Sequence, residues 1–113
     1  MLNLRMNSSI QKPNSLILTQ TQFVLPNIVT CSPGNKTTLI DNLSINSLEY
    51  YALDPFPTNR TLVGAVYLWS QSSWMVPVDV MVNVSEQKIS IAVYNPTSSS
   101  FAIEIVRCLF FWQ

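Results

Sequence analysis

Valine occupies positions 76, 78, 80, 82 and 84, with Pro77, Asp79, Met81 and Asn83 between them. A strict period of two is the repeat of a pleated strand, so this run predicts a half-buried β-strand with five branched side chains on one face. Lys88 to Tyr94 and Phe101 to Trp112 follow as further strands, and the apolar segment Leu62 to Trp69 precedes it. The C-terminal half therefore reads as four consecutive antiparallel strands.

Upstream, Leu16 to Leu25 predicts one or two strands. Asn27 to Cys31 and Lys36 to Ile40 flank the turn Ser32-Pro33-Gly34-Asn35 and read as a first hairpin. Asp41 to Tyr51 fits either a short helical turn capped by Asp41 or Ser44, with Leu48, Tyr51 and Ala52 inward, or a strand; the strand is the reading taken here. Asp54 to Asn59 is a loop, because Pro55 and Pro57 exclude both helix and central strand. Turn signals at these intervals predict an all-β fold, an antiparallel β-sandwich of jelly-roll-like type with few or no helices. At 113 residues it is one domain over 16–113, able to bury roughly two-thirds of its unfolded surface, behind a polar, aperiodic arm over 1–15 expected to be flexible.

Leu62 to Trp69 is apolar on both faces, with Leu62, Gly64, Val66 and Leu68 alternating with Val63, Ala65, Tyr67 and Trp69. Ile105 to Trp112 is apolar on both faces too. A small all-β chain has no helix to cover a second apolar face, so a neighbouring subunit is the expected cover. Val63, Tyr67, Trp69, Phe110, Phe111 and Trp112 are the expected interface residues. The alternative is that a bulge or the N-terminal segment covers them within one chain.

Charge is scarce: six basic and six acidic residues cancel, and only 11% of the chain is charged. That excludes a nucleic-acid partner held by phosphate neutralisation and a basic membrane-surface stripe. Ser, Thr, Asn and Gln fill 38 positions instead, a surface suited to hydrogen bonding without electrostatic steering and to sugar ligands. No histidine is present and only two glycines occur, which removes the commonest base and metal ligand and any glycine-rich phosphate loop. Two cysteines cannot make a structural zinc site, and no metal or cofactor is expected. Cys31 and Cys108 are expected to be buried free thiols; the alternative is a bridge between first and last strands closing a long loop. The sequons at Asn7, Asn35, Asn42, Asn59 and Asn83 are read as chance in so polar a sequence. Asp54, Asp79, Glu86 and Glu104 have no spacing that pairs them for acid–base work, so the chain is read as non-enzymatic. No signal peptide or membrane-spanning run is visible, so folding in the cytoplasm is expected unless a leader has been removed.

The residues singled out for ligand binding are Trp74, which follows a serine-rich loop, with Tyr67, Tyr94 and Asn95; exposed aromatic rings of this kind stack on sugars or anchor protein contacts.

Leu62-Val63-Gly64-Ala65-Val66, Ser72-Ser73-Trp74-Met75-Val76-Pro77 and Ile89-Ser90-Ile91-Ala92-Val93-Tyr94-Asn95-Pro96-Thr97, followed by a final strand, cover about half the chain. Together they resemble the C-terminal head domains of phage tail fibres and receptor-binding proteins. The resemblance implies a virion location, a homotrimeric sandwich without catalysis, contacts with other virion proteins, and binding of host surface glycan or protein. The length suits a small accessory piece, such as a capsid decoration or head-fibre protein. The polar loops Asp54 to Asn59, Ser70 to Trp74 and Asn95 to Ser100 would then face a receptor. The alternative function is a monomeric carbohydrate-binding or adhesion module using exposed aromatics.

Overall fold

The computed structural model describes residues 15–113, so the expected arm falls outside the described residues except for Ser15. Six strands and one short helix follow in order: β1 (Ile17–Cys31), β2 (Lys36–Ser44), α1 (Ile45–Glu49), β3 (Leu62–Ser70), β4 (Val76–Asn83), β5 (Lys88–Tyr94) and β6 (Phe101–Trp112). They form two antiparallel three-stranded sheets, sheet A in the order β1-β6-β3 and sheet B in the order β2-β5-β4. The fold is an all-β sandwich. No helix among the described residues is long and apolar enough to cross a membrane.

Among the described residues only β4 and β5 form a hairpin. Every other connection passes from one sheet to the other, including the Ser32–Asn35 turn, which was expected to close a hairpin between β1 and β2. Gly34 takes a φ of +70° there, and its N–H donates to the Asn95 carbonyl at 2.8 Å, so the turn docks on the end of β5 instead.

The valine strand is corrected too. Val80 and Val82 pack against the core, but Val76, Val78 and Val84 are exposed. The pairing of β4 with β5 shifts between Pro77 and Asp79, and one extra residue in a strand reverses the facing of everything beyond it. Pro77 is tolerated because β4 is an edge strand, where a missing N–H leaves no ladder bond unmade.

Asp41 to Tyr51 splits between the two readings. β2 runs to Ser44, whose side chain then accepts from the Ser47 N–H at 3.1 Å and caps α1, so the strand reading fails over Ile45–Glu49. Ile45 and Leu48 are the buried residues of this turn, while Tyr51 is exposed.

Between the sheets lies one core. β6 contributes Ile103, Val106, Cys108, Phe110 and Trp112, and β5 contributes Ile89, Ile91 and Val93. Ile103 and Val106, three apart, both point inward, so the strand is irregular between them and turns both Glu104 and Ile105 away from the core. At the far end of β6, Phe110, Trp112 and Phe56 form an aromatic cluster with centroid separations of 5.2 to 6.0 Å. The Phe56 N–H is held by the Glu49 carboxylate at 2.8 Å, and the Trp112 indole donates to Thr19 at 2.9 Å.

Two amide side chains stitch the sheets together at opposite ends of β5. Gln87, just before the strand and at a φ of +52°, accepts from the Leu62 N–H at 2.8 Å and donates to the Leu62 carbonyl at 2.9 Å. Asn95, just after it, donates to the Cys31 carbonyl at 3.0 Å and to the Ser99 carbonyl at 2.7 Å while accepting from Thr97.

Candidate functional site

Each sheet turns a second face outward, and the faces differ. On sheet A the outward residues form cross-strand rows: Leu18, Phe111 and Gly64; Gln20, Leu109 and Val66; Gln22, Arg107 and Trp69; Val24 and Ile105. Leu18 is 55% exposed, Val66 46% and Leu68 40%, while Ile105, Leu109 and Phe111 are half-buried. Bulges in β3 at Val63 and Leu68 set this sorting: Leu62, Ala65, Tyr67 and Ser70 face inward, and Gly64, Val66, Leu68 and Trp69 face outward. A Cβ on Gly64 would lie 3.3 Å from the Phe111 ring, so a side chain there would oblige that ring to shift by a few tenths of an ångström.

Arg107 stands in the middle of this face without a carboxylate partner among the described residues. Its guanidinium lies 5.1 Å from the Trp69 ring centroid and makes two long hydrogen bonds, both 3.4 Å, to Gln20 and Gln22. The buried Nε has no acceptor. A cation held this loosely among apolar neighbours retains hydrogen-bonding capacity for an incoming group.

The structure sorts the expected interface residues into two groups. Trp69 and Phe111 lie on the outer face, with Val63 half-buried at its edge bulge. Tyr67, Phe110 and Trp112 are buried inside the chain's own core and cannot meet a neighbour. The expected ligand residues divide similarly. Trp74 is 62% exposed and Tyr94 is partly exposed on sheet B, opposite Val76. Asn95 and Tyr67 are corrected: Asn95 is fully buried with its amide spent on the stitch described above, and Tyr67 is buried beside Ser70.

The three polar loops do not converge. Ser70 to Trp74 and Asn95 to Ser100 sit at the end of the sandwich where β6 begins; Gln71 bonds to Ile105 and Glu104 there. Asp54 to Asn59 lies at the other end, where Phe56 packs on Trp112.

The titratable interior is small. Cys31 and Cys108 are free and fully buried. Burial pushes the Cys108 thiol up to about 12. Cys31 is raised by burial against an opposing hydrogen bond with Thr37, and Tyr67 by burial against the nearby Ser70. Ser70 is close enough to act on Tyr67 electrostatically, but the hydroxyl makes no hydrogen bond of good geometry. Among the carboxylates, Asp79 pairs with Lys36 at 2.7 Å across β5 and Glu86 with Lys88 at 3.6 Å. Glu49 is committed to the Phe56 backbone. Among the described residues no three His, Cys, Asp or Glu side chains come together as a metal site.

Sequence reasoning missed Gln71 and Arg107. Arg107 is the one cation in an otherwise apolar alternation over Ile105 to Trp112, and that was the available signal. Compared with known proteins, the chain matches no family model, no curated sequence and no solved structure.

Proposed function

We propose that this protein is a non-enzymatic structural module that assembles with copies of itself through the outer face of sheet A. The setting we propose is a virion, as an attachment or decoration protein, on the resemblance of its strand segments to phage fibre heads. The observation that carries the assembly reading is the set of apolar residues Leu18, Val66, Leu68, Leu109 and Phe111 that share the outer face of one sheet rather than being scattered over the molecule. Apolar faces of this kind are costly in water and mark contact surfaces. The Trp69–Arg107 pair beside it supports the same reading, because tryptophan and arginine are over-represented where interfaces draw most of their binding energy. Contacts with other virion proteins and a receptor on the host surface belong to the same proposal.

The test is the solution mass of the full chain by light scattering across a dilution series. Assembly predicts a defined oligomer, a trimer by the resemblance, that dissociates on dilution. A monomer at every concentration overturns the reading.

A further inference from the structure

The geometry points to a second site, at the end of the sandwich where β6 begins, that takes a neutral saccharide. A shallow hollow of about 360 Å³ lies there, lined by Gln71, Ser72, Ser73, Trp74, Phe101 and Ala102. Its chemistry is one exposed indole beside several neutral hydrogen-bonding groups. Trp74 presents an open ring, 62% exposed, in a loop that runs from the buried Ser70 to the buried Met75, so the loop carrying it is anchored on both sides.

Gln71 is fixed at both its backbone and its side chain. Its N–H donates to the Ile105 carbonyl at 2.9 Å, and its Oε1 accepts from the Glu104 N–H at 3.0 Å. Since a backbone N–H requires an oxygen opposite it, the side-chain orientation is determined, and the Nε2 donors are left over in a set position. Ser70 adds rigidity by donating to the Ser72 carbonyl at 2.9 Å. The hydroxyls of Ser72 and Ser73 complete the rim.

The residues of this hollow select among ligand classes. None of them is charged, so a phosphate or an acidic sugar would lose its hydration without gaining a counter-charge. A wholly apolar ligand would strand the Gln71 donors and the serine hydroxyls. A polyproline segment docks on aromatic-lined grooves, whereas the hollow offers one open ring, Phe101 being half-buried. A pyranose has an apolar face of C–H groups to lay on the indole and equatorial hydroxyls at its edge for amide and serine partners.

The experiment uses the isotope-labelled full chain, following the Trp74 indole N–H and the Gln71 to Ser73 amides by NMR. The probes are maltotriose, cellotriose, mannotriose and tri-N-acetylchitotriose, each raised to about 10 mM, above the millimolar dissociation constants that a shallow site supports. The expected result is a saturable shift of these resonances with at least one trisaccharide. Trp74→Ala should weaken it about tenfold at unchanged melting temperature, and Trp74→Phe by less. Three results overturn the proposal: no shift with any of the four, shifts that survive Trp74→Ala, or a response to a decaproline peptide alone. Movement of the indole signal on raising protein concentration without sugar also overturns it, because Trp74 is then a subunit contact. This readout is independent of oligomer mass, so the saccharide site and the assembly reading stand or fall separately.

Discussion

Asn95 and Gln87 show how neutral amides replace charge in holding this molecule together. Each joins a strand end in sheet B to a strand end in sheet A, with both its oxygen and its nitrogen engaged. Removing either amide leaves partly buried backbone groups unpaired, which costs about 1–3 kcal/mol per side chain. Chemical denaturation of Asn95→Ala and Gln87→Ala should each show that loss, and the double variant should show nearly their sum, because they lie at opposite ends of β5 and share no partner. The same economy explains the left-handed positions. With two glycines in the chain, φ values of +51°, +57° and +52° fall to Asn42, Asn59 and Gln87. The amide-rich composition was legible as surface polarity; that single amides carry the sheet contacts was not, because the pairing joins residues such as Asn95 and Cys31 that are remote in sequence.

The buried thiols make a second prediction at this scale. Cys108 keeps its proton to about 12 in the folded state against an ordinary 9.0, and Cys31 and Tyr67 are also raised. Between those limits the unfolded chain binds fewer protons than the folded one, so stability is fully present below about pH 9 and falls as pH rises toward 12. Urea midpoints measured at pH 8 and pH 10.5 should fall in that order, and replacing Cys108 with Ala should flatten the slope.

At the scale of the element, β4 separates what periodicity reveals from what it hides. The alternation of Val76 to Val84 identified a strand correctly, yet placed all five valines on one face. Period two assumes an unbroken pleat, and the shift at Pro77 to Asp79 breaks it. β3 follows the same rule, since two bulges sort Leu62 to Ser70 differently from simple alternation. Substitution reads the register directly. Val80→Ala should cost about 1 kcal/mol through lost burial, whereas Val78→Ala should change stability by less than about 0.5 kcal/mol. Equal costs at the two positions would contradict the bulge. The short helix was hidden for a different reason: Ser44 serves at once as the last residue of β2 and the cap of α1, and neither role alone excludes the other reading.

For the whole molecule, the sandwich and its surplus apolar surface were legible, because strands that are apolar on both sides cannot all face one core. Which residues form that surplus was not, since Phe110 and Trp112 differ from Phe111 only in the face that β6 gives them. The assembly reading makes its prediction here. Leu68→Lys places a charge on the outer face without entering the core, so it should halve the oligomer's mass or more at low concentration while leaving the melting temperature within a few degrees. An unchanged mass would move the interface elsewhere.

The order of the strands also has a consequence for how the chain is made. Among the strands, β1 and β3 pair only with β6, which follows both in the sequence; β1 has one further backbone contact, where Gln22 to Val24 meet Tyr51 to Leu53. As the protein emerges from a ribosome, sheet B can pair as soon as β5 is out, but β1 and β3 wait with open edges and bare apolar rows until β6 arrives. Any delay before β6 joins them, in synthesis or in refolding, therefore prolongs the interval in which the chain is most open to the wrong partner, and chaperone capture should concentrate on that half-finished sheet.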